Sequence, residues 1–331
     1  MFISQTEAQT IFDALPNDRQ YPTLDPEYLD IDLLDNPERE PIFWSKSYQS
    51  EIVLIGSSVG PALDHLVDFE SQRGYGGATS TLPCASPAWR DVWEDFNSDL
   101  RDRNGLASFF RFTPLLKNHT CFTGDVVLDR HTIAINLTDD QEPLKIFATR
   151  ARTAVRKAIK NGVTGRWAET SDDWVSFVEL YRQRMAELDA SEQYLFSDEY
   201  FKRMESWKQT ELFLCYLEDE LLAGSIFIKS PCYWEYHLSA SNRKGMKKNA
   251  TQWIIWNASE MAKSKNVDFL HLGGGTDNKP DNPLFFFKRG FSKENYPFYF
   301  GKSILNDDAY QATKRDFEAL DKPTGRVLFY R

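Results

Sequence analysis

The spacing of apolar residues changes along the chain, and each change marks an element. EIVLIG (51–56) is a continuous apolar run that predicts a strand leading to Gly60-Pro61, followed by the short amphipathic stretch PALDHLVDFE. Ser86-Pro87 predicts a helix start, and Trp89, Val92, Trp93, Phe96 and Leu100 then fall on one helical face that Asn104-Gly105 ends. ASFFRFTPLL and DVVLDRHTIAINL read as strands. A second helical pattern lies within residues 145–166 and stops at Asn161-Gly162. A third starts at Ser171, with Asp172 and Asp173 at its positive end and Trp174, Phe177, Val178, Tyr181, Met185 and Leu188 as core positions. The pattern then shifts to strands: ELFLCYLED, ELLAGSIFIKS and CYWEYHLSAS. A basic loop follows, then a helix from about Asn249 to Lys263 and a strand, VDFLHLGGG, ending in three glycines. A short helix over Asn282–Arg289 and a closing pair of strands in FSKENYPFYFGKSIL complete the reading. Residues 10–45, rich in Pro, Asp and Asn, predict an irregular arm.

The length of 331 residues suggests two domains, and the 41% hydrophobic content is ample for two cores. We divide the chain into an acidic N-terminal arm (1–45), a first lobe (46–145) and a second lobe (146–331). The net charge of −10 argues against a general binder of DNA. Residues 1–40 contribute ten acidic and two basic residues, a solvated surface on this reading. Residues 145–166 are the opposite, with seven basic residues and no acid, and Arg152, Arg156 and Lys160 share a helical stripe suited to an anion such as a phosphate. Cys84, Cys121, Cys215 and Cys232 form no CxxC pair and no zinc spacing, which fits reduced thiols in a cytoplasmic protein. The N-terminus has no secretory pattern, and no apolar run approaches the length of a membrane span.

Familiar catalytic motifs are missing. The run Gly273-Gly274-Gly275 lacks dinucleotide-binding spacing, no serine sits in GxSxG, and none of the five histidines lies in HExxH, so no metal is expected. What stands out is an order: three strands, the basic loop Arg243-Lys244-Gly245-Met246-Lys247-Lys248-Asn249-Ala250, a helix, a strand, then a short helix ending Gly290-Phe291.

That order resembles the second half of an acyltransferase of the GNAT superfamily. The fuller resemblance, over most of residues 50–305, is to the Fem-like branch, whose members carry two GNAT-like lobes in tandem. It rests on Tyr75-Gly76-Gly77, the Arg150–Gly162 segment, Glu235-Tyr236-His237-Leu238-Ser239-Ala240-Ser241, Leu272-Gly273-Gly274 and Phe287-Lys288-Arg289-Gly290-Phe291. The implied fold is α+β: two lobes, each a mixed, mostly antiparallel sheet flanked by helices. The resemblance implies that Arg243, Lys244, Gly245, Lys247, Lys248 and Asn249 hold the pyrophosphate of a coenzyme A thioester at a helix start. Only one of the usual loop glycines is present, and the usual Tyr-Gly-Gly-Pro reads Tyr-Gly-Gly-Ala. Lys288 matches a lysine that stabilises charge at the reacting centre. His271 or Asp277, flanking the glycine turn, relays the amine proton, and Tyr236 lines the cleft in preference to His237. Tyr75, Gly76, Gly77, Arg150, Arg152 and Arg156 bind the acceptor.

Three functions follow as expectations. One is an N-acyltransferase moving an acyl group from acyl-CoA or acyl carrier protein to an amine of a cell-surface sugar, a peptidoglycan-type precursor or a lipid-linked acceptor. The others are an aminoacyl-tRNA-dependent transferase to a peptidoglycan precursor, and a degenerate binding module. The acidic balance and the lack of a sustained heptad run weigh against the tRNA role.

Overall fold

The computed structural model describes residues 1–279 and 281–331. It divides into two compact units, Met1–Asp129 with Pro297–Arg331, and Arg130–Tyr296. This division runs differently from the sequence-based one. The N-terminal 45 residues belong to the first unit, and so do the C-terminal 35.

The first unit opens with β1 (Phe2–Ile3), α1 (Gln5–Ala14) and α2 (Pro26–Asp32). The expected solvated arm is therefore corrected. Tyr21 and Tyr28 are fully buried, and Asp25 and Asp32 are buried as well. The acids have local work: Asp25 caps α2, Ser4 and Glu7 form a capping box on α1, and Asp32 pairs with Arg73 at 3.1 Å. Strands β2 (Glu40–Tyr48), β3 (Glu51–Leu63) and β4 (Leu66–Glu70) form an antiparallel run, with the short β5 (Ala78–Ser80) beside β3. The stretch PALDHLVDFE is thus a hairpin, not one amphipathic segment; Asp64 adopts a left-handed φ of 48° at its turn. α3 (Trp89–Arg101) then crosses over to β6 (Gly105–Arg111), which pairs parallel to β4. All five residues of the expected α3 stripe are buried, and Trp93 donates through Nε1 to the Cys121 carbonyl at 2.7 Å.

The second unit repeats this plan. Its elements are β7 (Asp125–Asn136), α4 (Pro143–Ile146), α5 (Thr149–Lys160), β8 (Val163–Trp167), α6 (Ser171–Glu187) and α7 (Asp198–Ser206). The three expected strands appear as β9 (Thr210–Leu217), β10 (Glu220–Lys229) and β11 (Tyr233–Ser241), an antiparallel run to which β8 adds an edge. α8 (Arg243–Lys248) and α9 (Ala250–Ser264) cross over to β12 (Phe269–Gly273), parallel to β11, and β7 pairs antiparallel with β12. α10 (Pro283–Lys288) is the expected short helix. β13 (Asn295–Ile304) runs back into the first unit, where it pairs antiparallel with β6, and α11 (Asp307–Ala319) follows. The expected closing pair of strands is corrected here to one strand and a helix, which Asn306 caps. Each unit is therefore a mixed, mostly antiparallel sheet with one parallel βαβ step, β4–α3–β6 in the first and β11–α9–β12 in the second.

One face of the second sheet packs on α5 and α9. Val155, Ile254, Ala258, Leu270, Leu272, Phe227 and Trp234 form its core. Each such side chain contributes about 1.5–3 kcal/mol on full burial if it is Val, Leu, Ile or Phe. α6 starts at Ser171, as its signal suggests. Thr170 caps it, and Asp173 turns inward to hold Arg166 through two bonds of 2.8 and 2.6 Å.

Candidate functional site

The site candidates of the second unit gather around the βαβ step. β12 pairs with β11 only over Tyr233–Glu235. Among the described residues no strand pairs with that edge of β11 beyond Glu235. At the same level the β10–β11 ladder slips: Ile226 faces Leu238 while Phe227 faces Tyr236, so His237 is the extra residue of a bulge. A bulge next to an unpaired edge leaves backbone donors and acceptors facing an open seam. In the first unit the equivalent seam is closed by its own chain. Ser71 and Gly76 donate to the Phe109 and Arg111 carbonyls, and Gly76 bridges Phe112.

Alternation sorts the side chains of this seam onto two faces. Leu270 and Leu272 lie in the α5/α9 core, so His271 projects from the other face, opposite Glu235 in the parallel register. Lys288, at the end of α10, is buried and donates to the Gly274 carbonyl at 2.7 Å. Burial pushes its amine down to about 8, and the Glu235 carboxylate partly opposes that fall. His271 is fully buried, and burial together with the Lys288 charge holds it down to about 3. Its Nε2 lies 2.9 Å from the Thr132 hydroxyl, which itself donates to the Tyr296 carbonyl at 3.3 Å. Thr132 can thus accept from the His271 Nε2–H while it donates to Tyr296. His237 lies close by: its Nδ1 is 4.0 Å from Glu235, and its Nε2 is 2.6 Å from the Tyr200 hydroxyl.

Of the four catalytic candidates, the structure brings Lys288 and His271 together and adds Glu235, which the sequence reading did not assign a role. A buried carboxylate inside the otherwise apolar run Tyr233-Trp234-Glu235-Tyr236 was the signal available for it. Tyr236 lies on the opposite face, packed against the α5/α9 core beside Phe227, and burial pushes its phenol up. Asp277 is a solvent-exposed turn residue that accepts from the Lys279 backbone at 3.0 Å and from Asn282 at 3.0 Å.

The donor-loop candidates are a helical turn, not a loop, which corrects that expectation. Asn242 caps α8 and accepts from the Gly245 N–H at 2.7 Å. Lys244 pairs with Glu220, and Arg243 lies 3.4 Å from Glu187. Lys247 and Lys248 follow, and Asn249, at a left-handed φ of 61°, separates α8 from the 15-residue α9. A Cβ on Gly245 would collide with the Leu222 carbonyl and the Ser241 hydroxyl. Gly245→Ala is therefore expected to cost about 1–3 kcal/mol, measured by urea denaturation; unchanged stability would show that α8 can shift freely.

The acceptor candidates separate. Tyr75 is buried in the first unit, edge-on to Tyr21 and Phe298. The Gly76 carbonyl takes hydrogen bonds from Asn118 and Thr113, and Gly77 has a φ of 93°, where a Cβ would strike Asn118 and Phe112. These glycines serve a tight turn. In the second unit Arg152 folds back onto the Phe147 carbonyl at 2.7 Å, so it leaves the stripe drawn from the sequence. Arg150 caps the Phe286 carbonyl and stacks over the Phe286 ring at 3.6 Å. Arg156 is solvent-exposed.

The second unit is thus a mixed sheet with a single parallel βαβ step, its two parallel strands paired only up to Glu235. Residues 147–289, within the second unit, match the family model described as an acetyltransferase (GNAT) domain. The whole chain also has the fold of FemX, with a TM-score of 0.71 at 16% identity over 94% of this chain and 98% of that one. The C-terminal domain of a protein assigned as a lysylphosphatidylglycerol synthetase from Agrobacterium fabrum is similar at a TM-score of 0.58 and 11% identity, covering 95% of this chain and 96% of that one. L-PGS from Bacillus licheniformis is similar at 0.57 and 9% identity, covering 95% of each chain. These likenesses bear out the expected α+β fold of two tandem lobes. No curated protein sequence matches the chain significantly.

Proposed function

We propose that the chain is an N-acyltransferase. It takes an acyl group from a coenzyme A thioester, or from acyl carrier protein, and delivers it to an amine on a cell-surface sugar, a peptidoglycan-type precursor or a lipid-linked acceptor. The observation that carries this reading is the unpaired edge of β11 beyond Glu235, within the matched acetyltransferase domain. An extended donor arm can hydrogen-bond along that edge as an added strand, and a β11 N–H can polarise the acyl carbonyl. The closed seam of the first unit supports assigning the donor to the second unit.

The donor's phosphates lie, on this reading, against the start of α9, with Lys247 and Lys248 beside it. The amine nitrogen attacks the acyl carbon, the C–S bond breaks, and the amine proton ends on the departing thiolate or on solvent. Lys288 stabilises the negative charge that develops in between. His271 contributes shape and hydrogen bonding, since a base held near 3 takes up protons poorly at neutral pH.

The test is thermal unfolding of the full chain with acetyl-CoA, longer acyl-CoAs and free coenzyme A, followed by turnover with a panel of amines. A donor at 100 times its dissociation constant is expected to stabilise the protein by about 2.7 kcal/mol. If no thioester shifts the transition while an aminoacyl-tRNA binds at low salt, the aminoacyl-tRNA-dependent reading replaces this one. If neither binds, the chain is a binding module.

A further inference from the structure

The solvent side of α5 has an unusual composition. Its exposed positions include Arg150, Thr153, Arg156, Lys157 and Lys160, with no acid among them. At 100° per residue these five span about a third of the helix circumference, and the rise of 1.5 Å per residue stretches them over about 15 Å. The acids nearest in sequence are Glu142, which pairs with Lys145 at 3.3 Å, and Glu169, beyond β8. The like-charged face is thus left uncompensated by its own element, in a chain whose net charge is −10. Such self-repulsion persists only at a cost that an external anion removes.

Apolar surface adjoins this charge. Arg150 reaches from α5 onto α10, where Phe286 is 58% and Leu284 39% exposed, and Arg289 is exposed as well. Exposed large apolar residues on a short helix, flanked by cations, fit the boundary between headgroups and acyl chains. A nucleic acid fits less well. Base stacking needs an open aromatic face, and the Arg150 guanidinium already lies 3.6 Å over the Phe286 ring. Leu284 has no face to stack. Among the described residues no helix is long and apolar enough to cross a membrane, so any association here is peripheral.

We propose that the α5–α10 face of the second unit docks on an anionic lipid bilayer, with Arg156, Lys157 and Lys160 over the headgroups and Phe286 inserted at their base. This goes beyond the acyl-transfer reading and does not depend on it. Docking would bring a lipid-carried acceptor to the enzyme, but the contact is defined by the lipid charge alone.

The test is flotation of the full chain with vesicles of phosphatidylcholine alone and with one-third phosphatidylglycerol, at low and rising salt. Binding is expected only with the anionic vesicles, with at least a tenfold weakening on raising salt. Arg156→Glu with Lys157→Glu is expected to abolish it. Phe286→Ser, at a surface position, is expected to weaken it several-fold, and circular dichroism shows that both variants stay folded. The proposal is overturned if anionic vesicles do not bind, if the charge-reversed variant binds as wild type, or if tRNA displaces the vesicles and its own binding ignores Phe286→Ser. None of these outcomes touches the thermal-shift result with acyl donors, so the two readings fail separately.

Discussion

Lys288→Met is expected to destabilise the protein by about 1–3 kcal/mol, because it removes a buried donor and a positive charge that the Glu235 carboxylate favours. The lost donor is the one to the Gly274 carbonyl, and its removal loosens the turn that follows β12. Glu235→Gln is expected to be damaging in the same direction, since it removes the negative charge that favours the buried Lys288 ammonium. The double variant, Lys288→Met with Glu235→Gln, is expected to recover part of the loss, since neither charge then lacks the other. Urea denaturation of the four proteins gives this cycle. Two single losses that simply add would show that the groups do not sense each other. Acyl transfer separates the roles further. The double variant regains stability but not turnover if the Lys288 ammonium acts on the acyl group, whereas turnover that returns with stability assigns Lys288 to holding the glycine turn.

Pattern made α3 of the first unit and most of the second unit legible. The apolar stripe of α3 and the apolar runs of β9, β10 and β11 survive translation into structure because each extends over several residues, α3 burying one face and β10 both. Shorter signals were ambiguous. Ten acids in the first 40 residues read as solvent-facing, yet Asp25 and Asp32 are buried through helix capping and the Arg73 pair, contacts with no sequence period. Arg243–Lys248 has too few residues to show a helical repeat, and its helical form depends on the Asn242 cap. The start of α11 was marked by Asn306-Asp307-Asp308, a cap followed by acids, but the aromatic strand before it dominated the reading. In the candidate site, Lys288 was singled out by resemblance and His271 by its place beside the glycine turn. Their relation to Glu235 depends on the parallel register of β11 and β12, a pairing between segments some 35 residues apart that no local pattern encodes.

His271 provides a pH test of that buried cluster. Its folded value, about 3, lies below the ordinary histidine value of 6.5. Between these limits the unfolded chain binds a proton that the folded chain refuses, so stability falls as pH falls. The loss begins near pH 6.5 and grows by about 1.4 kcal/mol per pH unit, reaching about 3 kcal/mol near pH 4.5. Other groups contribute to the acid limb, among them Glu70, which the Arg111 and Arg331 charges hold down to about 2 against the opposing effect of its own burial. These groups are common to wild type and variant, so the comparison with His271→Gln isolates the histidine. The glutamine amide can keep a donor toward Thr132 while losing the titration. The difference in unfolding free energy between wild type and His271→Gln is expected to shrink steadily from pH 7 to 4.5. A constant difference would mean that His271 protonates within the fold, against its burial and the Lys288 charge. The same variant bears on mechanism: an acid limb near pH 6–7 in the rate profile that persists in His271→Gln belongs to another group.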